Sequence, residues 1–202
     1  MSDIVYLMNV DETPASGETL LNTRAMSDHI LEWVNRKVVY LTSDDTIERL
    51  VNRVPGHLMR RTAGAFTCGG TEFWMHGERV WVHPHSFSSE TLEAIQIIID
   101  DHFPEYSNSL ELTNRPGLIN ASLIARHASL KDRQSFGLYD EEHDVRKRIA
   151  DLLSEQLPQY KIRIAGEVSL DIFPHSEPYE AVRQFVTERH RGASIGHLHP
   201  FT

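Results

Sequence analysis

Cysteine is nearly absent: Cys68 is the single one, so no disulfide can form within the chain. A framework of bridges is excluded, and a reducing compartment is the matching environment. Long apolar runs are missing as well. Nothing approaches the roughly 20 residues that a bilayer span needs. The start, Met1-Ser2-Asp3-Ile4-Val5-Tyr6, has neither a basic n-region nor a cleavable apolar segment. A cytoplasmic protein with no membrane attachment is expected. Basic charge is scarce too, with 20 Lys and Arg against 29 Asp and Glu and a net charge of −9. That balance argues against a general nucleic-acid binder while leaving room for a local basic pocket. There are no repeats and no low-complexity tract. What is present, 202 residues of which 40% are hydrophobic, suffices for one large core or two small ones.

Ile4–Met8 reads as a buried strand ending in the polar loop Asn9-Val10-Asp11-Glu12-Thr13. Residues 23–36 place Met26, Ile30, Leu31 and Val34 on one helical face. Val38–Leu41 reads as a second strand, followed by Thr42-Ser43-Asp44, with Asp44 or Asp45 capping a helix to about Arg53. This alternation predicts a parallel sheet with crossover helices, whose chemistry belongs at the strands' carboxyl ends. Residues 72–75 and 79–82 predict a hairpin around His76-Gly77-Glu78, and Pro84 with Ser86, Ser88 and Ser89 reads as a linker. Beyond it, helix 89–103, strands 109–113 and 118–124, helix 140–157, and strands 160–164 and 168–173 suggest an α+β unit with helices on one sheet face. A last helix starts at Pro178 and ends near Arg191, and Ala193–Gly196 suits a final strand.

The segment Arg115-Pro116-Gly117-Leu118-Ile119-Asn120-Ala121-Ser122-Leu123-Ile124-Ala125-Arg126 is followed by Arg133 and then by Gly166-Glu167-Val168-Ser169-Leu170-Asp171-Ile172-Phe173-Pro174. Guanidinium forks suit phosphate oxygens, and Asn, Ser and Asp suit sugar hydroxyls. Asn120 and Ser122 share a strand face by the two-residue period, as do Ser169 and Asp171. An arginine on a strand more often meets solvent or a local acid, and such pairs are more often a polar edge. The three arginines together in this frame favour a phosphorylated sugar.

At these residues the chain resembles the eukaryotic-type phosphomannomutases, members of the haloacid-dehalogenase-like phosphotransferases. Arg115, Gly117, Asn120, Ser122, Arg126, Arg133, Gly166, Ser169, Asp171, Phe173 and Pro174 match the pattern of that family's cap, with Ala125 where a Gly is usual. The resemblance implies that Arg115, Arg126 and Arg133 hold the substrate's distal phosphate. It implies that Asn120, Ser122, Ser169 and Asp171 contact the sugar of a hexose phosphate, mannose or glucose phosphate. It also implies a Rossmannoid α/β core at 1–84 plus 183–202, shortened at its C-terminus, with an inserted α+β cap at 85–182 and a homodimer formed through the cap.

The same resemblance exposes departures. The family's first motif is Asp-x-Asp-Gly-Thr, with a nucleophilic, magnesium-binding first Asp and an acid/base second Asp; here it reads Asn9-Val10-Asp11-Glu12-Thr13. An amide lacks the anionic oxygen that attacks phosphorus and is a weaker Mg²⁺ ligand. Glu12 adds negative charge where a phosphoryl group enters. Ser43 matches the hydroxyl of the second motif. The third motif's lysine falls at Tyr179, and the fourth motif's Asp falls at His197, with its further acidic residue unmatched before Thr202. Magnesium, with Asp11 as its candidate ligand, is expected only as a family trait. Phosphoryl transfer in such sites rests on positioning and metal electrostatics. A sugar-phosphate-binding protein with little or no catalysis is therefore expected. The alternatives are a magnesium-dependent mutase or phosphatase working through Asp11 in a rearranged site, and an interaction protein that dimerises through the cap.

The remaining candidates are weaker. His83-Pro84-His85 and His197-Leu198-His199 lack a nearby third ligand, and only the first partly matches a two-histidine phosphoesterase motif. Cys68 beside Gly69-Gly70 reads as part of a mobile loop without an activating neighbour.

Overall fold

A computed structural model describes residues 4–11, 24–125, 127–174 and 178–198, apart from the side chains of residues 24–29 and of Pro178. The chain divides into two units, Met1–His83 with Pro178–Thr202 and Pro84–Glu177. The seams expected at 84/85 and 182/183 shift by one and five residues. The second of these would cut the last helix, whose Val182 and Val186 are buried in the first unit's core.

In the first unit, β1 (Ile4–Asn9), α1 (Arg24–Arg36) and β2 (Val38–Thr42) form a strand–helix–strand crossover: β1 and β2 pair in parallel, with Asn9 beside Thr42. α2 (Ile47–Arg53) and the short α3 (Gly56–Met59) lead to β3 (Gly64–Thr67), which pairs in parallel with β2. β3 has no counterpart among the expected elements, because a strand of four residues offers too short an alternation to read. The hairpin β4 (Glu72–Met75) and β5 (Glu78–Val82) adds antiparallel strands, as its turn residues predict. In the same unit, the last helix (Pro178–Arg189) returns the chain to a final strand (Ser194–Leu198), parallel to β1.

The second unit runs α4 (Ser89–His102), β6 (Glu111–Arg115), β7 (Leu118–Ser122), α5 (Leu130–His143), α6 (Val145–Gln156), β8 (Tyr160–Ala165) and β9 (Ser169–Pro174). With these in place, the last helix and strand of the first unit are α7 and β10. The first unit's sheet order is β10-β1-β2-β3-β4-β5. Met8, Val39 and Leu41 bury against Ile30, Val34, Leu50 and Leu58 of the helices on one side. Val5, Leu7, Tyr40, Phe66 and Phe73 bury against Val182 and Val186 on the other. Both faces are covered, which is why these strands read as continuous apolar runs.

The antiparallel sheet of the second unit has the order β6-β7-β9-β8. Ile119, Ala121, Leu170 and Ile172 bury against Ile95, Ile99, Ile149 and Leu153 of α4 and α6, so helices cover one sheet face. The single helix expected at 140–157 is instead two. Asp144 adopts a left-handed conformation, φ 51°, and ends α5. The Asp140 carboxylate then accepts from the Arg146 backbone N–H at 2.7 Å, satisfying a donor of α6's first turn. The apolar spacing of α6 begins at Val145, just past this break, and so does not mark it.

Candidate functional site

The ends of β1 and β2 bring Asn9, Asp11 and Ser43 together. Asn9 Oδ1 accepts from the Asp11 backbone N–H at 2.9 Å, a local turn that aims the Asp11 side chain toward β2. Ser43, buried, donates its hydroxyl to Asp11 Oδ1 at 2.9 Å and accepts from the Asp45 N–H at 3.0 Å. The Asp44 N–H donates to Asp11 Oδ2. Arg53, at the end of α2, completes the set. Its Nη1 lies 2.7 Å from Asp11 Oδ1 and 3.1 Å from Asp45 Oδ2, and its Nη2 donates to the Val10 carbonyl at 2.8 Å. α2 is entered from Thr46, without a side-chain cap; Asp45 bonds Arg49 and Arg53 and is not the expected cap, nor is Asp44.

Behind Ser43, the turn Cys68–Gly70 fastens the loop: the Cys68 N–H donates to the Asp45 carbonyl at 2.9 Å and the Gly69 N–H to the Ser43 carbonyl at 3.1 Å. Cys68 is buried, which corrects the mobile loop expected there. Its positive φ and those of Gly69 and Gly70 turn the backbone tightly enough to point these amides at the loop.

Mg²⁺ takes about six oxygens in near-octahedral array, with at least one or two available carboxylates. Here the Asn9 oxygen and both Asp11 oxygens already accept protein donors. Among the described residues no group of three or more His, Cys, Asp or Glu side chains could hold a metal ion. The described residues do not fit a divalent cation at this strand end. Tyr179 lies half-buried in α7, and His197 is exposed on β10 beside Leu7. Glu12, Thr13 and His199 lie outside the described residues. His83 is buried and donates its backbone N–H to the Thr71 carbonyl at 2.8 Å, while the His85 ring meets Phe87 edge-on at 4.6 Å.

In the second unit the strand period leaves the other sheet face to polar side chains. Its rows follow from register: Glu111 beside Ser122 beside Ser169, and Thr113 beside Asn120 beside Asp171 beside Arg163. Asn120 Nδ2 donates to Asp171 Oδ1 at 2.8 Å, and Arg163 Nη2 donates to Asp171 Oδ2 at 3.0 Å. The Asp171 side chain is only 4% exposed, and the Arg163 guanidinium also lies 5.2 Å from the Phe173 ring centre. Ser122 is buried and donates to the Ile124 carbonyl at 2.7 Å, so its hydroxyl hydrogen is committed to the bend after β7. Ser169 is half-buried. The Arg115 side chain, half-buried at the end of β6, makes no hydrogen bond or ion pair with a described residue. Arg133 lies in the first turn of α5, not on a strand. Arg126 lies outside the described residues.

Arg53 and Arg163 are absent from the residues that the sequence marks. The Arg163 contact is set by the turn: three residues, Gly166–Val168, join the strands and bring residue 163 opposite 171, where a two-residue turn at Ala165-Gly166 would bring it opposite 168. Arg53 belongs to a helix whose distance from Asp11 in sequence conceals the contact.

Residues 99–191 match the family profile of the eukaryotic phosphomannomutases. The phosphomannomutase of Saccharomyces cerevisiae is 29% identical over 96 residues, 46% of this chain and 37% of the yeast enzyme. The chain thus spans little more than a third of that relative. The C-terminal domain of a Candida albicans trehalose-6-phosphate phosphatase superposes with a TM-score of 0.58 at 14% identity, over 98% of this chain and 69% of that one. A sugar phosphatase of haloacid-dehalogenase subclass IIB superposes with a TM-score of 0.57 at 10% identity, over 93% and 76%. The fold is an α/β fold with a parallel-strand sheet, like that of these solved structures, and the resemblance to phosphomannomutases holds across most of the second unit and α7.

Proposed function

We propose that this chain binds a hexose phosphate, mannose or glucose phosphate, on the polar sheet face of its second unit, and that it transfers phosphoryl groups weakly or not at all. Arg115, Arg126 and Arg133 take the phosphate; Asn120, Ser169 and Asp171 take sugar hydroxyls, with Ser122 contributing only as an acceptor. The observation that carries the binding reading is the Asn120–Asp171 pair in a polar row, with Arg115 uncommitted on a neighbouring strand. Asp171 holds two donors here, yet a carboxylate offers about four lone-pair directions, which leaves acceptor capacity for a hydroxyl.

Weak catalysis follows from the first unit. Asn9 cannot form an acyl phosphate as an aspartate does, and the Asp11 carboxylate is held as an ion pair with Arg53. Incubation with mannose 1-phosphate and Mg²⁺ tests this half: neither mannose 6-phosphate nor inorganic phosphate accumulates above background. Turnover abolished by Asp11→Ala would instead establish the working enzyme.

Calorimetric titration with mannose 6-phosphate and glucose 6-phosphate tests the binding half. Removing a charge-assisted contact costs about 1.5–3 kcal/mol, so Arg115→Ala weakens binding roughly tenfold or more.

A further inference from the structure

The strand-end site of the first unit carries an inference independent of sugar-phosphate binding. Two carboxylates and a backbone carbonyl, from Asp11, Asp45 and Val10, converge on the Arg53 guanidinium between the β1 and β2 loops. Hard oxygens of this kind are what a divalent cation collects. A guanidinium collects them here. Arg53 Nη1 bridges Asp11 and Asp45 at 2.7 and 3.1 Å, and Nη2 reaches the Val10 carbonyl at 2.8 Å. The side chains are 35, 22 and 29% exposed for Arg53, Asp11 and Asp45, so the pairs are partly shielded from water. Arg49 adds a second cation on Asp45 at 3.1 Å.

We infer that Arg53 is a built-in cation that takes the place of a divalent metal, tying the β1 and β2 loops together and making this site metal-independent. A planar fork suits this role, since it carries a positive charge and meets three acceptors in fixed directions. Asp11 is thereby neutralised by the chain itself, and Ser43 is fixed as its hydrogen-bond donor.

The full chain is titrated with Mn²⁺ as the probe, followed by water-proton relaxation, and melted in EDTA and in Mg²⁺. The wild type shows no Asp11-dependent Mn²⁺ binding, and its melting temperature is the same in both buffers. Arg53→Gln exposes the acidic oxygens, binds Mn²⁺ at least tenfold more tightly than the wild type, and melts higher in Mg²⁺ than in EDTA. Arg53→Lys keeps the charge, stays as metal-insensitive as the wild type, and decides the matter if the glutamine variant does not fold. Mn²⁺ binding by the wild type that Asp11→Asn abolishes overturns the inference. A folded Arg53→Gln that gains no Mn²⁺ affinity, or an Arg53→Lys that does gain it, overturns it equally.

Discussion

Two carboxylates that the sequence marks for chemistry, Asp11 and Asp171, are each held by an arginine that it does not mark, Arg53 and Arg163. The pairings differ in burial. Asp171 is almost wholly enclosed while Arg163 is 40% exposed, so removing the arginine strands a buried charge with one remaining donor, Asn120. Discounting for the solvent around Arg163, Arg163→Ala lowers stability by roughly 1–2 kcal/mol in urea denaturation. An unchanged midpoint would mean that the pair contributes nothing beyond its exposed half. At this scale, residue identities are legible in the sequence and their partners are not. Asn120, Ser169 and Asp171 can be placed on polar positions by period alone, because strand periodicity needs no knowledge of neighbours. The commitment of Ser122 to Ile124 depends on a bend after β7 that no periodicity encodes.

At the scale of elements, the junction of α5 and α6 shows why helix ends are harder to read than helix bodies. Val145, Ile149 and Leu153 keep their spacing through α6, yet the chain reverses its local hand at Asp144. Asp140 holds this break. It accepts from the Arg146 backbone N–H and pairs with the Arg146 side chain, both at 2.7 Å, and the two side chains are 9 and 13% exposed. Asp140→Ala leaves a nearly buried guanidinium and an open helix start, and costs about 3 kcal/mol of unfolding free energy. Asp140→Asn, which keeps an acceptor for the backbone N–H, costs less; equal losses in urea denaturation of the two variants would contradict this. The parallel strands β1 and β2 and the hairpin β4–β5 are legible because apolar runs and turn residues are local signals. β3 is not, since its place is fixed by pairing with β2 and β4 across the sheet.

At the scale of the whole chain, each unit has its own core. The apolar cluster of the second unit draws only on residues between Phe87 and Ile172, and the clusters of the first draw on both sides of that insertion. A fragment of residues 84–177 should therefore fold alone, giving a cooperative melt and the same hexose-phosphate affinity as the full chain within about threefold. A fragment that stays unfolded would show that this core is insufficient by itself. The residues proposed for binding and those of the strand-end site follow the same division: the arginines and polar row lie in the second unit, and Asn9 and Asp11 lie in the first. That position 9 carries an amide and not a carboxylate is legible in the sequence alone. The filling of the site by Arg53 is not, because it joins the β1 end to α2 across 42 residues.

Calorimetric titration of mannose 6-phosphate into the wild type and Arg115→Ala tests the central claim most directly. Saturable 1:1 binding by the wild type, displaced by glucose 6-phosphate or inorganic phosphate and weakened about tenfold or more in the variant, is the predicted result. No heat of binding from any of the three, or equal affinity in both proteins, would contradict it.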